Sequence, residues 1–352
     1  VSRYDHDRAG LAALLDGQPS YRVDQVWKGL YERGAELDEL TDLPKSLRAG
    51  LADDLPLALH AVTEQQADGG ETVKWLWQLA DGAKVETVLM HYPERSTVCI
   101  STQAGCAMAC GFCATGQAGF ERHLSVGEIV EQVVVARRAA AAHDRRLSNV
   151  VFMGMGEPLA NYDRTWAAVE RLHGGLGLSA RHLTVSTVGV VPGIRRLAQE
   201  DLPVNLAVSL HAADDELRDE LVPINRRYPL AVLEAACAEY LEAKNRRLSF
   251  EWAMIAGTND RPEDAERLAA IARRLRAHVN LIPLNPTPGS LAEPTPPDGV
   301  RAFHRRLRDL GANATVRQNR GTDIDAACGQ LRASHEVATP VALGATRSPE
   351  GS

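Results

Sequence analysis

Cys106, Cys110 and Cys113 put three thiols into one run of eight residues, with three and then two residues between them. Gly105 precedes the run and Gly111 lies inside it, so the backbone can curl and bring the sulfurs to one point. Such a run reads as a metal centre, and the number of ligands decides its chemistry. Tetrahedral zinc or a conventional iron–sulfur cluster takes four ligands, and this run offers three. Three thiolates on a four-iron cluster would leave one iron open to a substrate. Zinc, completed by a ligand from elsewhere, is the alternative at this point.

The chain has six cysteines, four of them between Cys99 and Cys113. That distribution fits metal or redox chemistry in a reducing, cytoplasmic setting better than a disulfide scaffold. Cys99 sits in an apolar strand and taken alone reads as a small core residue. Cys237 lies on the apolar face of a helix and reads as packing. Cys328 stands between Ala327 and Gly329, where a bulky substrate can reach a thiol.

These residues need elements to position them. The first 60 or so residues predict short helices, including one opened by the turn Leu43-Pro44-Lys45. Thr72–Leu79 and Ala83–His91 predict a β-hairpin with a two-residue turn at Asp81-Gly82. From Ser96 onward β-rich runs (97–101, 149–153, 182–187, 204–210, 248–255, 279–284) alternate with helical patterns. One of these helices opens on the capping box Ser125-Val126-Gly127-Glu128. Alternation of this kind implies parallel strands joined by right-handed crossovers. Six units fall short of the eight of a closed barrel, so an open partial (β/α)6 barrel is expected, with a doubly wound sheet as the rival. The proline-rich stretch 286–297 predicts an exposed ordered loop, followed by a helix over 298–310 and a short strand over 314–318. The expected organisation is a helical accessory domain over 1–70, a hairpin extension over 71–95, the α/β core over 96–332 and a disordered tail over 333–352.

With 352 residues, 45% hydrophobic and 24% charged, the chain can bury one large core or two moderate ones. No apolar run approaches the ~20 residues of a membrane span, and Val1-Ser2-Arg3-Tyr4-Asp5 opens no secretory signal pattern. A net charge of -7 argues against coating nucleic acid through bulk charge, but leaves room for a local basic surface. Residues 300–320 carry six arginines against the single acid Asp309, which by itself is most simply a solvated helix face.

Ligands of parallel α/β folds collect at the carboxyl ends of the strands, and the polar motifs fall there. Cys106–Cys113 follows the first strand of the core and Gly154-Met155-Gly156-Glu157-Pro158 the second. Ser186-Thr187-Val188-Gly189 ends the third, Ser209-Leu210-His211 the fourth, and Asn285-Pro286 the sixth. Five such motifs on one rim point to a single site.

The Cys-x3-Cys-x2-Cys run resembles the signature of radical S-adenosylmethionine (SAM) enzymes. Gly111-Phe112-Cys113-Ala114-Thr115-Gly116, Met153–Pro158, Val222-Pro223-Ile224-Asn225 and Asp323–Leu331 extend the likeness to the RlmN/Cfr family of RNA methyltransferases, over roughly residues 17–331. The resemblance implies a radical SAM barrel in which Cys106, Cys110 and Cys113 hold a [4Fe-4S] cluster and SAM binds the open iron. It implies methylation of adenosine C2 in 23S rRNA and tRNA, consuming two SAM and drawing on an external donor such as a flavodoxin-type reductant. Methylation at C8, as in the Cfr group, is the same-class alternative, and a zinc-dependent RNA-binding protein the different-class one. Further implied roles are Cys328 as the methyl-carrying cysteine, Cys99 as the cysteine that resolves the RNA crosslink through a disulfide, and Glu86 as proton acceptor. Gly156, Glu157, Ser186, Ser209, Leu210, His211 and Asn285 are implied SAM contacts. In this setting the arginine run becomes a candidate RNA surface. The expected state is a cytoplasmic monomer with no membrane association.

Overall fold

The computed structural model describes residues 1–285, 287, 290–326 and 330–331. Cys328 and the 333–352 tail lie outside the described residues.

The N-terminal region forms α1 (Arg8–Leu14), α2 (Tyr21–Trp27) and α3 (Lys45–Asp54). Trp27 stacks on Tyr31 with ring centroids 4.1 Å apart, and the apolar side chains of these short helices join the same buried cluster as the sheet. They are also tied to the helices that follow. Asp5 accepts from the Gly127 N–H at 2.6 Å, and the buried Glu131 carboxylate accepts from the Ala58 and Leu59 amides at 2.9 and 3.1 Å.

Next come β1 (His60–Ala67), β2 (Thr72–Gln78) and β3 (Lys84–Tyr92), an antiparallel ribbon. The hairpin falls where its pattern predicts, but its turn is longer. Leu79 N–H donates to Ala83 O at 2.8 Å, leaving three residues, Ala80, Asp81 and Gly82, in the loop. Asp81 stabilises it by accepting from the Ala83 N–H at 3.2 Å. The sequence predicts no strand at β1, because this edge strand has no clean apolar alternation. Only Ala67 in it is buried, and its pairing with β2 holds it in place.

The core then runs β4 (Arg95–Cys99), β5 (Gln103–Gly105), α4 (Ala114–Ala118), β6 (Phe120–His123), α5 (Val126–Ala142), β7 (Leu147–Phe152), α6 (Tyr162–Gly174), β8 (Leu183–Thr187) and α7 (Val191–Gln199). It continues β9 (Asn205–Ser209), α8 (Asp215–Leu221), α9 (Leu230–Lys244), β10 (Leu248–Met254), α10 (Pro262–Arg274), β11 (His278–Pro283), α11 (Pro297–Asp309) and β12 (Asn313–Val316). Both halves of the Ser125/Glu128 capping box open α5.

All strands but β5 and β6 form one sheet in the order β1-β2-β3-β4-β7-β8-β9-β10-β11-β12. β3 and β4 are antiparallel, and every pairing from β4 to β12 is parallel. From β4 on, the order never reverses. Right-handed crossovers that always step the same way put the helices on one face, whereas a doubly wound sheet reverses direction midway. The open partial barrel is therefore the architecture, and the hairpin joins its first strand edge to edge.

Apolar side chains fill the layer between sheet and helices: Trp252 on β10 is fully buried and stacks on Phe303 of α11 at 6.1 Å. The proline-rich stretch is less exposed than expected. Thr287, Ala292 and Thr295 are buried, because the loop folds back on the end of β10, where Thr295 N–H donates to Met254 O at 3.2 Å. Its last proline, Pro297, belongs to α11.

Candidate active site

The concave face of the sheet follows from strand pleat and register. Cys99 lies opposite Val151 and Val151 opposite Thr184, while Ser209, Glu251, Asn280 and Thr315 form a cross-strand row. These residues share one face. Above it lies a cavity of about 180 Å³ whose walls include Cys99, Cys106, Cys110, Cys113, Gly156, Glu157, Ser186, Ser209, His211 and Asn285. The predicted rim is thus one site. Leu210 and Glu86 are not among its walls. The Leu210 side chain is in the core, and its carbonyl accepts from Arg218 Nε at 3.1 Å.

The cysteine loop is pinched at its neck. β5 and β6 pair on either side of it, and Cys106 N–H donates to Gly119 O at 2.7 Å. Gly105 has a φ of 72°, and a Cβ there would sit 2.0 Å from the Gly119 carbonyl oxygen, so no other residue fits this neck. Cys113 N–H closes back on Cys110 O at 3.1 Å, and α4 begins immediately after.

Burial pushes the Cys106 thiol up to about 12, and drives Cys110 well above its ordinary value, with the neighbouring Cys113 adding to both. Three thiolates side by side, Cys110 buried and Cys106 and Cys113 half-buried, would call for a cation, and a coordinated thiol is deprotonated outright. Among the described residues no three His, Cys, Asp or Glu side chains gather around one ion position. The donor set of three thiols leaves a tetrahedral zinc ion one ligand short and a four-iron cluster with one iron open.

Gly156 (φ 97°) brings the backbone against Gln103, where a Cβ would lie 2.5 Å from the Gln103 Cβ. Glu157 is buried, and burial lifts its carboxyl to about 7 against the backbone bonds it accepts from Val188 (2.8 Å) and Leu159 (2.9 Å). Its carboxylate therefore first ties together the loops after β7 and β8. His211, at φ 59°, is pushed down to about 3 by burial and by Arg218. Its Nδ1 accepts from the Ala253 N–H at 3.0 Å, so the neutral ring carries its proton on Nε2. Asn285 accepts on Oδ1 from Asn319 Nδ2 at 2.6 Å.

After β12 the chain crosses the open side of the barrel as a strap. Asn319 donates to Pro283 O at 3.0 Å, Arg320 to His91 O at 2.7 Å, and Gly321 N–H to Asp68 at 3.0 Å. The strap then returns to the cysteine loop, where Thr115 donates to Leu331 O. Ala326 and Leu331, on either side of the position of Cys328, both line the cavity. The arginine run divides. Arg301 and Arg306 on α11 pair with Asp298 and Glu266 on the outer surface, whereas Arg317 and Arg320 reach the cavity. Cys237 is fully buried, as its helical pattern predicts.

Two features escape the sequence reading. Glu251 on β10 lines the cavity and accepts from Asn280 Nδ2 at 2.8 Å and Ser249 Oγ at 3.0 Å. The alternation Ser249, Glu251, Ala253 within an otherwise apolar strand is the signal that could have found it. The second is Arg218, fully buried on α8. It donates to Val188 O (2.7 Å), Leu210 O (3.1 Å), Ser209 O (3.4 Å) and Asn225 Oδ1 (2.8 Å), binding the loops after β8 and β9 to the Val222–Asn225 motif. Arg218→Met is expected to destabilise the fold by about 3–5 kcal/mol, since it strands several buried acceptors. Urea unfolding measures this, and a loss below about 1 kcal/mol would show that the loops stand without it.

The model of the radical SAM superfamily matches residues 100–277. With the three-cysteine loop at the mouth of a partial barrel, the class is a radical SAM enzyme, which implies a [4Fe-4S] cluster and SAM. A Parafrankia sp. (strain EAN1pec) protein named "Probable dual-specificity RNA methyltransferase RlmN" is 55% identical over 349 residues, 94% of this chain and 90% of that protein. A Chloroflexus aurantiacus protein of the same name is 51% identical, over 95% of this chain and 93% of its own. The crystal structure of a radical SAM methyltransferase from Sphaerobacter thermophilus superposes with a TM-score of 0.92 at 50% identity, covering 95% of this chain and 100% of that one. The chain belongs to the RlmN family of radical SAM RNA methyltransferases.

Proposed function

We propose that this protein methylates C2 of adenosine in 23S rRNA and tRNA through a methyl group carried on Cys328. The observation that carries the reading is the cavity itself. The three loop cysteines, Cys99 and both described flanks of Cys328 line one space, in a chain of the RlmN family.

Cys106, Cys110 and Cys113 would hold the cluster, and Gly156, Glu157, Ser186, Ser209, Leu210, His211 and Asn285 would contact SAM. Leu210 can do so only through its backbone, since its side chain is in the core. When bound, the cluster and SAM supply the methyl group and a one-electron route to a carbon radical, which an electron-poor ring carbon requires. Cys328 carries the methyl carbon as a thioether, thiolates being the strongest side-chain nucleophiles near neutral pH. Cys99 then forms a disulfide with Cys328 and releases the carbon to the RNA. The Glu86 carboxylate takes the C2 proton. Glu86 is buried at the edge of the site, on the same face of β3 as the cavity-lining Val88 and Met90.

Arg317 and Arg320 are the arginines of the basic run nearest the reaction and the better candidates for RNA phosphate. The reading includes an external donor of flavodoxin type and a cytoplasmic monomer. Among the described residues no helix is long and apolar enough to cross a membrane. The reading is tested by mapping the modified nucleoside after reaction in vitro. C2 is favoured over C8 by the names of the relatives. Zinc at stoichiometric level with no labile sulfide, after anaerobic purification, would overturn the radical chemistry.

A further inference from the structure

β2 carries a lysine between apolar neighbours, in Val73-Lys74-Trp75, and the strand buries it. Lys74 lies opposite Val88 on β3, and Val88 lies opposite Cys99 on β4, so the three form one row on the concave face. Glu86 is two residues from Val88 on that face. Lys74 Nζ stands 3.4 Å from Glu86 Oε1 and 3.5 Å from the carbonyl oxygen of Asp325, three residues before Cys328. Both side chains of the pair are only 7% exposed. A buried lysine is costly unless it is paired and hydrogen-bonded, and a lone surface pair would not need the strap as a third partner.

We propose that Lys74 is a positioning residue that holds the Glu86 carboxylate toward the site and seats the strap leading into Cys328. The inference rests on the reading of Glu86 as proton acceptor and Cys328 as methyl carrier. An ammonium beside a buried carboxylate favours its ionised form, the form able to accept a proton. The proton leaves C2 for a Glu86 oxygen, the C–H electron pair stays with the RNA adduct, and Lys74 keeps its own protons throughout. One cation thereby sets both the base and the chain segment that delivers carbon to it.

Among the described residues, the charged and titratable groups around this pair come from three strands and the strap. Lys74 comes from β2 and Glu86 from β3, with the Cys99 thiol on β4. The strap brings Arg320, held at His91 O, and Asp325, whose side chain accepts from Gln330 at 3.4 Å. Asp68, before β2, is occupied by Thr72 Oγ1 and the Gly321 N–H.

The test compares Lys74→Met, Lys74→Arg and Glu86→Gln in the cluster-loaded enzyme with an RNA substrate. Product formation and RNA–protein crosslink are followed across pH, alongside SAM cleavage. With Lys74→Met, the acidic limb of the product profile should move up by about one pH unit or more, because the carboxylate loses the charge that favours its ionisation. Crosslink should accumulate and SAM cleavage should continue. Lys74→Arg should restore the profile. If Lys74→Met does not fold, Lys74→Gln takes its place. A Lys74→Met or Lys74→Gln profile superposing on wild type, with Glu86→Gln trapping crosslink, would overturn the Lys74 role alone. Normal turnover by Glu86→Gln would instead overturn the proton-acceptor reading beneath it.

Discussion

Cys328→Ala should abolish RNA methylation, by at least ~10³-fold on the scale of lost covalent nucleophiles, while reductive cleavage of SAM continues. Cys99→Ala should do something different and leave RNA covalently joined to the protein. The two outcomes would differ because, on the proposed route, the two thiols act at opposite ends of one event. Ala326 and Leu331, the described residues that flank Cys328 in sequence, line the cavity, and Cys99 ends β4 in the same cavity wall. Without Cys328 no carbon would be loaded on the proposed route, and the cluster loop, pinned at its neck by the β5–β6 pairing, should be untouched. Without Cys99 the carbon is delivered but its bond to Cys328 has no thiol to break it. Gel shift and mass analysis of protein–RNA species, with SAM cleavage products followed in parallel, separate the cases. Full methylation by Cys328→Ala would refute the carrier role, and free product from Cys99→Ala would refute the resolving role.

Cys110→Ala should remove the cluster while sparing the fold. Cys110 is buried beside Phe112, which packs edge-on against His211 at 4.7 Å, so the variant keeps its apolar surroundings and loses one of three ligands. Iron and labile sulfide should fall to near zero after anaerobic reconstitution, and SAM cleavage and methylation should vanish together. This contrasts with Cys328→Ala, in which cleavage survives. The far-ultraviolet dichroism should be unchanged, because β5–β6 pairing shapes the loop without the third thiol. A variant that kept full iron would mean the loop is not the cluster site.

Much of this was legible in the chain because its causes are local. β-branched runs mark the hairpin and the six core strands, a capping box opens α5, and polar motifs at strand ends mark the rim. The family likeness added the roles of Cys99, Cys328 and Glu86, which no spacing reveals. What stayed hidden depends on partners far apart in sequence. β1 is an edge strand defined by β2, so it has no apolar alternation to betray it. Arg218 looks like one more arginine on an acidic helix until two strand-end loops and the Val222–Asn225 motif converge on it. Lys74 and Asp325 meet across 251 positions, and only the register of β2, β3 and β4 puts Glu86 beside them. The proline-rich loop misled for the same reason: Thr295 finds its backbone partner on β10, which composition does not reveal.

The central claim is that this cavity puts a methyl group on C2 of adenosine. The most direct test digests RNA after reaction with the reconstituted enzyme, SAM and a one-electron reductant, and locates the new methyl group by chromatography and mass fragmentation. The account predicts 2-methyladenosine, formed in both a 23S rRNA fragment and tRNA. 8-Methyladenosine, or unmodified RNA from an enzyme that carries a full cluster and cleaves SAM, would contradict it.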